Sequence, residues 1–154
     1  RLDHLAPQQY TEHFTINTIL QNAAARSETL GVAFHAAAPV PADLSINESD
    51  LCTLLLNLLD NAIEAASQVP PPGERRIDCT IKVKQGYLAV KCENTYAGEL
   101  SLNEEGKLQT TKADRDRHGF GLAQMQAIAK KCGSVLDITY TGDRFTVQTA
   151  LKLN

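Results

Sequence analysis

The sequence predicts an α+β fold, an α/β sandwich in which a mixed sheet is covered on one face by helices. Two observations predict it. Helical periods and strand alternations follow one another as helix, strand, helix, two strands, long loop, helix, two strands. The later strands also come in adjacent pairs joined by turn dipeptides, which makes them hairpins with helices between. A length of 154 residues, 43% of them hydrophobic, suits one domain with a core of its own.

Taken in order, Thr15–Leu30 reads as a helix with Ile16, Ile19, Leu20, Ala23 and Ala24 on one face, capped by Gly31. Val32–Ala37 reads as a short strand that Pro39 and Pro41 end. Asn47 and Asp50 resemble a capping box, with Asp in place of the usual Glu or Gln, and open a helix over Glu48–Gln68. Pro70–Gly73 is a loop. The runs Arg76–Lys84 and Tyr87–Cys92 alternate and meet at Gln85-Gly86, a hairpin signal. Asn94–His118 is polar and without a sustained period, and a loop that long in a compact domain usually is a lid or a binding loop. A helix over Gly119–Lys131 stops at Gly133, and the strands Val135–Thr141 and Arg144–Leu153 meet at Gly142-Asp143.

Composition excludes several classes of function. With 15 basic and 18 acidic side chains, the formal charge of −3 argues against a dedicated nucleic-acid binder. No apolar run approaches the roughly 18 residues of a membrane span. RLDHLAPQQY lacks the basic-then-apolar order of a signal peptide. Cys52, Cys79, Cys92 and Cys132 form no CxxC pair and have no His cluster beside them, so they are expected to be thiols buried in a reducing cytoplasm.

Two segments carry chemistry. At 100° per residue the helix DLCTLLLNLLDNAIEAA places Leu51, Leu54, Leu55, Leu58, Leu59, Ala62, Ala65 and Ala66 on one broad arc. Asp50, Thr53, Asn57, Asp60, Asn61 and Glu64 fall on the other. A plain solvent face would mix Lys and Arg with Glu, and this one has no basic residue. It also uses Asn twice, a poor helix former. Such a row of amide and carboxylate oxygens suits a hydrated Mg²⁺. The second segment, TTKADRDRHGFGLAQMQAIAKKCG, sets Gly119 and Gly121 at a helix start, where backbone N–H groups can approach an anion. Lys112, with Arg115 or Arg117, can add charge-assisted bonds to phosphate oxygens. The two segments together describe a site for a Mg-nucleotide.

NLLDNAIEA at Asn57–Ala65 resembles the N-box, and HGFGL at His118–Leu122 the second glycine box, of the GHKL ATPase superfamily that includes gyrase, histidine kinases and MutL. The resemblance covers Phe14–Leu153 and is strongest to the catalytic and ATP-binding (HATPase_c) domain of sensor histidine kinases of the peptide-quorum-sensing branch, through TTK, HGxGL and the final FTVQTALKL. It implies the Bergerat ATP-binding fold with a long ATP lid, and ATP and Mg²⁺ as cofactors. Carried over, Asn61 ligates Mg²⁺, and Asn57 supports the metal or its waters. Gly119 and Gly121 present backbone to the phosphates, Leu122 lies near the nucleotide, and Lys112 and His118 belong to the lid. In the gyrase branch a glutamate at the place of Asn57 activates water, and an amide cannot act as that base, so a kinase is implied rather than an ATPase.

Three departures accompany the resemblance. Asn94 stands where the family's Asp reads the adenine amino group, and its oxygen can still accept from that group without charge. Glu64 stands where many histidine kinases carry a basic residue. The phosphate-accepting histidine is absent, because His13 lies too close to the start of the ATP-binding domain. The expected organisation is therefore a remnant of an upstream helical linker at 1–13 and a catalytic domain at 14–154. Its implied partners are the protein's own upstream dimerisation and phosphotransfer helices and a response regulator, with no nucleic acid. The full-length protein is expected to be a membrane-anchored homodimer with this domain in the cytoplasm, the isolated domain being monomer or dimer. Two alternatives stay open, an anti-sigma-type serine kinase and a nucleotide-independent interaction module of the same fold.

Overall fold

The computed structural model describes residues 7–97, 101–102, 108–109 and 120–154. Chain order is α1 (Phe14–Thr29), β1 (Ala33–Ala37), α2 (Glu48–Ser67), β2 (Arg76–Lys84), β3 (Tyr87–Thr95), β4 (Ser101–Leu102), β5 (Leu108–Gln109), α3 (Phe120–Lys131), β6 (Asp137–Thr141) and β7 (Arg144–Lys152). A five-stranded sheet has the order β1-β2-β3-β7-β6, and β4 pairs with β5. The five-stranded sheet is mixed: β1 runs parallel to β2, reached by the crossover through α2, and the other neighbours are antiparallel.

One face of the sheet is covered. Ile77, Cys79 and Ile81 of β2, Leu88, Val90 and Cys92 of β3, and Val147 and Leu151 of β7 are buried, while Lys82, Lys91, Gln148 and Lys152 point to the open face. Register pairs apolar with apolar, Ile81 opposite Val90 and Cys92 opposite Val147. A slip by one residue would turn this whole set outward, so the register is strongly specified. The turn at Gln85-Gly86 has positive φ at both residues (52° and 82°), which matches the twist of a two-residue hairpin.

The helix α2 lies centrally, between α1 and α3 and over β3. Leu51, Leu54, Leu55, Leu58, Leu59, Ala62 and Ala66 of the predicted arc are buried, joined by Ile63. Each fully buried leucine contributes about 1.5–3 kcal/mol, so this arc anchors the helix whose other arc bears the candidate site. Asn47 caps α2 by accepting from the Asp50 N–H at 2.9 Å. His13 caps α1: its Nδ1 accepts from the Ile16 N–H at 3.2 Å, and the residue is buried. The preceding strap is tied down as well, with the Tyr10 N–H donating to Asn17 at 2.7 Å and the Thr11 hydroxyl to the Val40 carbonyl at 3.2 Å.

The structure departs from the sequence reading at two places. β3 continues past Cys92 to Thr95, because Asn94 pairs with both Ile77 and Phe145, and the Thr95 hydroxyl accepts from the Arg76 N–H at 3.0 Å. Polar side chains at a strand end hide that continuation from a hydrophobic pattern. Within the predicted lid the short pair β4–β5 is formed, and the rest of that segment, 98–100, 103–107 and 110–118, lies outside the described residues. All four cysteines are free thiols, with Cys79 and Cys92 buried and Cys52 and Cys132 half-buried. Among the described residues no helix is long and apolar enough to cross a membrane.

Candidate functional site

Asn57 and Asn61 stand one turn apart on the solvent arc of α2. There α3 packs against α2 and brings Gly121 to Asn57. The Asn57 Nδ2 donates to Gln124 Oε1 at 3.0 Å, and its Oδ1 is turned toward Gly121. A Cβ on Gly121 would stand 3.2 Å from that oxygen. Glycine thus eases the close approach of the helices, because a methyl group here would have to push that amide away by a few tenths of an ångström, and its backbone is in no left-handed conformation. Gln124, three residues after Gly121 on the same helix face, fixes the Asn57 amide by holding its nitrogen.

Asn57, Asn61 and Gly121 line one open cavity of about 460 Å³, together with Asp60, Ile63, Glu64 and Ser67 of α2, Arg26 of α1 and Leu30 just after it. The polar arc of α2 has no basic residue of its own, yet it does not lack counter-charge. Arg26 Nη1 of α1 bonds Asp60 Oδ1 at 2.6 Å, and Lys131 Nζ of α3 meets Asp50 Oδ2 at 2.9 Å. Asp50, read as the reciprocal half of a capping box, spends its carboxylate on that lysine. Among the described residues the cavity wall holds two carboxylates, Asp60 and Glu64, and one cation, Arg26.

Asn94 lies elsewhere in the fold, on the helix-covered face at the end of β3, and is 3% exposed. Its Nδ2 donates to the Thr95 carbonyl at 2.9 Å, which leaves Oδ1 without a donor among the described residues. Leu122 is half-buried and packs on the core. Lys112, His118 and Gly119 lie outside the described residues. Sequence reasoning missed Arg26, Gln124 and Lys131. Of these, only Gln124 carried a signal, its helical spacing from Gly121.

A depression of about 500 Å³ on the open face of the sheet is of similar size, lined by Lys82, Ala89, Lys91 and Ala150 among others, and contains none of the expected site residues. Two of the thiols are held protonated. A hydrogen bond with Cys79, then burial, push the Cys92 thiol well up, and burial and the Asp50 carboxylate raise Cys132. Neither therefore offers a thiolate for metal binding or attack. Among the described residues no group of three His, Cys, Asp or Glu side chains can hold a metal ion.

The sequence profile of the GHKL domain family matches residues 46–152. No curated protein sequence matches the chain significantly. Among solved structures the fold is similar to Acinetobacter baumannii histidine kinase AdeS, at 15% identity and TM-score 0.63 over 98% of this chain and 69% of that one. It is similar to the mycobacterial sensor histidine kinase MprB, at 18% identity and TM-score 0.63 over 92% of this chain and 95% of that one. It is also similar to full-length ShkA in complex with AMPPNP, at 16% identity and TM-score 0.65, where the match spans 97% of this chain and 31% of ShkA. At these identities the likenesses establish a shared fold.

Proposed function

The chain belongs to the GHKL domain family, and on that premise we propose that it is the Mg-ATP-binding catalytic domain of a sensor histidine kinase, occupying 14–154 with residues 7–13 as a strap docked upon it. The observation that carries the reading is the meeting of Asn57 and Gly121 at one cavity. The carboxamide helix and the glycine-bearing helix start come from distant parts of the chain and share that space.

The residues fit a magnesium ion. Two amide oxygens, from Asn57 and Asn61, are too few for an all-protein cage and suit a cation that keeps waters and takes phosphate oxygens. Asn61 would hold the ion and Asn57 would support its hydration. When bound, Mg²⁺ neutralises phosphate charge and so opens a carboxylate-lined cavity to ATP. Gly121, with Gly119, would bring backbone close to the phosphates, and Lys112 and His118 would act from the lid. Asn94 would accept from the adenine amino group through the oxygen that its bond to Thr95 leaves available, with Leu122 beside the nucleotide.

The chemistry is γ-phosphoryl transfer to a histidine, and positioning and charge neutralisation supply most of its catalysis. Asn57, an amide whose nitrogen is tied to Gln124, cannot take a proton from water. A neutral imidazole needs no such base. The acceptor would sit on upstream helices of the same protein, which in its full-length form would be a membrane-anchored dimer passing the phosphoryl group to a response regulator. His13 makes a poor acceptor, since its whole ring is buried, with Nδ1 in the α1 cap and Nε2 3.7 Å from the Glu48 carboxylate.

The test is a calorimetric titration of ATP with and without Mg²⁺, on the native domain and on Asn61→Ala. Binding is expected only with the metal and only in the native domain, with the melting temperature of the variant unchanged. Equal affinity in the two buffers overturns the site. Absence of any ATP or ADP binding at millimolar ligand favours an interaction module that keeps the fold alone, a reading to which the carboxylate at Glu64 lends weight.

A further inference from the structure

We propose that the open face of the sheet, at the end where β2 turns into β3, is a docking surface for an anionic lipid bilayer. The proposal goes beyond the nucleotide reading and stands apart from it, since this face lies across the sheet from the helices that carry Asn57 and Gly121.

Alternation places Lys82 and Lys84 of β2, Lys91 of β3 and Lys152 of β7 on the open face. Register brings them together. Tyr87 lies opposite both Lys84 and Lys152, Ala89 opposite both Lys82 and Ala150, and Lys91 opposite both Thr80 and Gln148. With strands about 4.8 Å apart, the four lysines stand within about 15 Å of one another. All four are exposed, and none of their ammonium groups has a hydrogen bond or ion pair among the described residues. Lys82 and Lys91 flank the depression of about 500 Å³ that Ala89 and Ala150 also line, and Asp137 is its one carboxylate among the described residues.

The other end of the face is neutralised from within. Arg76 holds Asp78 at 2.8 Å, and Arg144 stands 3.7 Å from Glu93. Both arginines, the side chains suited to fixed bidentate geometry, are thus committed, and lysines carry the charge that remains. A lysine is a flexible point charge, which suits a fluid array of headgroups better than the matched carboxylates of one protein partner. Tyr87, 38% exposed between two lysines, offers an apolar ring with a polar tip, the side chain favoured at a membrane–water interface. The chain as a whole carries a formal charge of −3, which by itself would repel an anionic surface. Physiological salt screens charge within about 8–10 Å, so a bilayer meeting this face feels its lysines and not the acidic groups of the helix layer.

The test is co-sedimentation of the domain, without nucleotide, with vesicles of phosphatidylcholine alone or with about 30% phosphatidylserine. It compares the native domain, Lys82→Gln/Lys91→Gln and the charge-matched Lys130→Gln/Lys131→Gln on α3, each checked by thermal melting. The native domain is expected to bind only the phosphatidylserine vesicles, and to lose them as salt rises from about 0.05 to 0.5 M. At about fivefold per lysine, Lys82→Gln/Lys91→Gln is expected to bind about thirtyfold more weakly with a melting temperature no lower, and the α3 variant to stay within about twofold of native. The proposal is overturned if the native domain does not sediment with phosphatidylserine vesicles at low salt, or sediments equally with phosphatidylcholine alone. Equal loss in the two variants also overturns it, because net charge alone would then be responsible. Capture by immobilised polyglutamate and not by vesicles overturns it in favour of an acidic protein.

Discussion

Asn57 and Gln124, 67 positions apart in the chain, share a hydrogen bond of 3.0 Å that holds the amide of one helix against the glycine of another. The bond selects which end of the amide faces the cavity, since the nitrogen is committed and the oxygen is not. Gln124→Leu removes the acceptor and lets the amide rotate. ATP affinity should fall about fivefold, the size of one neutral hydrogen bond, with the melting temperature nearly unchanged. Gln124→Glu keeps an acceptor for the Asn57 nitrogen but adds a negative charge beside the cavity, so its ATP affinity should fall through repulsion while adenosine binding stays native. Isothermal titration of the two variants decides whether this bond orients Asn57.

Gly121→Ala sets two effects against each other. Alanine in a helix is favoured over glycine by at most about 1 kcal/mol, less in a first turn. The added methyl would stand 3.2 Å from Asn57 Oδ1, an oxygen that cannot retreat without straining the Gln124 bond. The variant should therefore melt close to the native protein yet bind Mg-ATP more weakly. Thermal melting beside a nucleotide titration separates the two, and unimpaired binding would show that the approach of α3 to α2 is not used.

Asn94→Asp would place there the residue that the family resemblance leads one to expect, and it is expected to do harm. The Asn94 Nδ2 donates to the Thr95 carbonyl at 2.9 Å, in a place 3% exposed. A carboxylate cannot donate and would face that carbonyl, at a cost of about 1–3 kcal/mol in stability. Chemical denaturation of Asn94→Asp should show a lower midpoint at neutral pH. An unchanged midpoint would mean that the Thr95 bond carries no weight.

Cys79 and Cys92 face each other across β2 and β3, and the Cys92 thiol is pushed well up, first by its bond with Cys79 and then by burial. A thiol reagent at pH 8 should therefore modify the half-buried Cys52 before either of them, and all four should react alike in denaturant. The folded thiol ionises at higher pH than the unfolded one. Its contribution to stability is thus complete below about pH 8.5 and declines as pH rises beyond that point toward the folded value. The denaturation midpoint should drop between pH 8 and 10, and drop less in Cys92→Ala.

The elements themselves were legible because each obeys one period. α2 could be read from its leucines, the hairpins from alternation and from Gln85-Gly86 and Gly142-Asp143, and α1 from its apolar face. The ends were less legible wherever polar side chains continue an element, as Asn94 and Thr95 do in β3. Asn57, Asn61 and Gly121 stood out as residue types that a plain helix face or helix start does not call for.

By itself the sequence determined which arc of α2 goes inward and which side chains are left to do chemistry, since a helix turns by a known angle and apolar surface must be buried. Only the tertiary structure decided what those side chains meet. Arg26, Gln124 and Lys131 reach Asp60, Asn57 and Asp50 from other helices because α2 is packed between α1 and α3. A contact between elements depends on how the chain returns upon itself, and no local period records that.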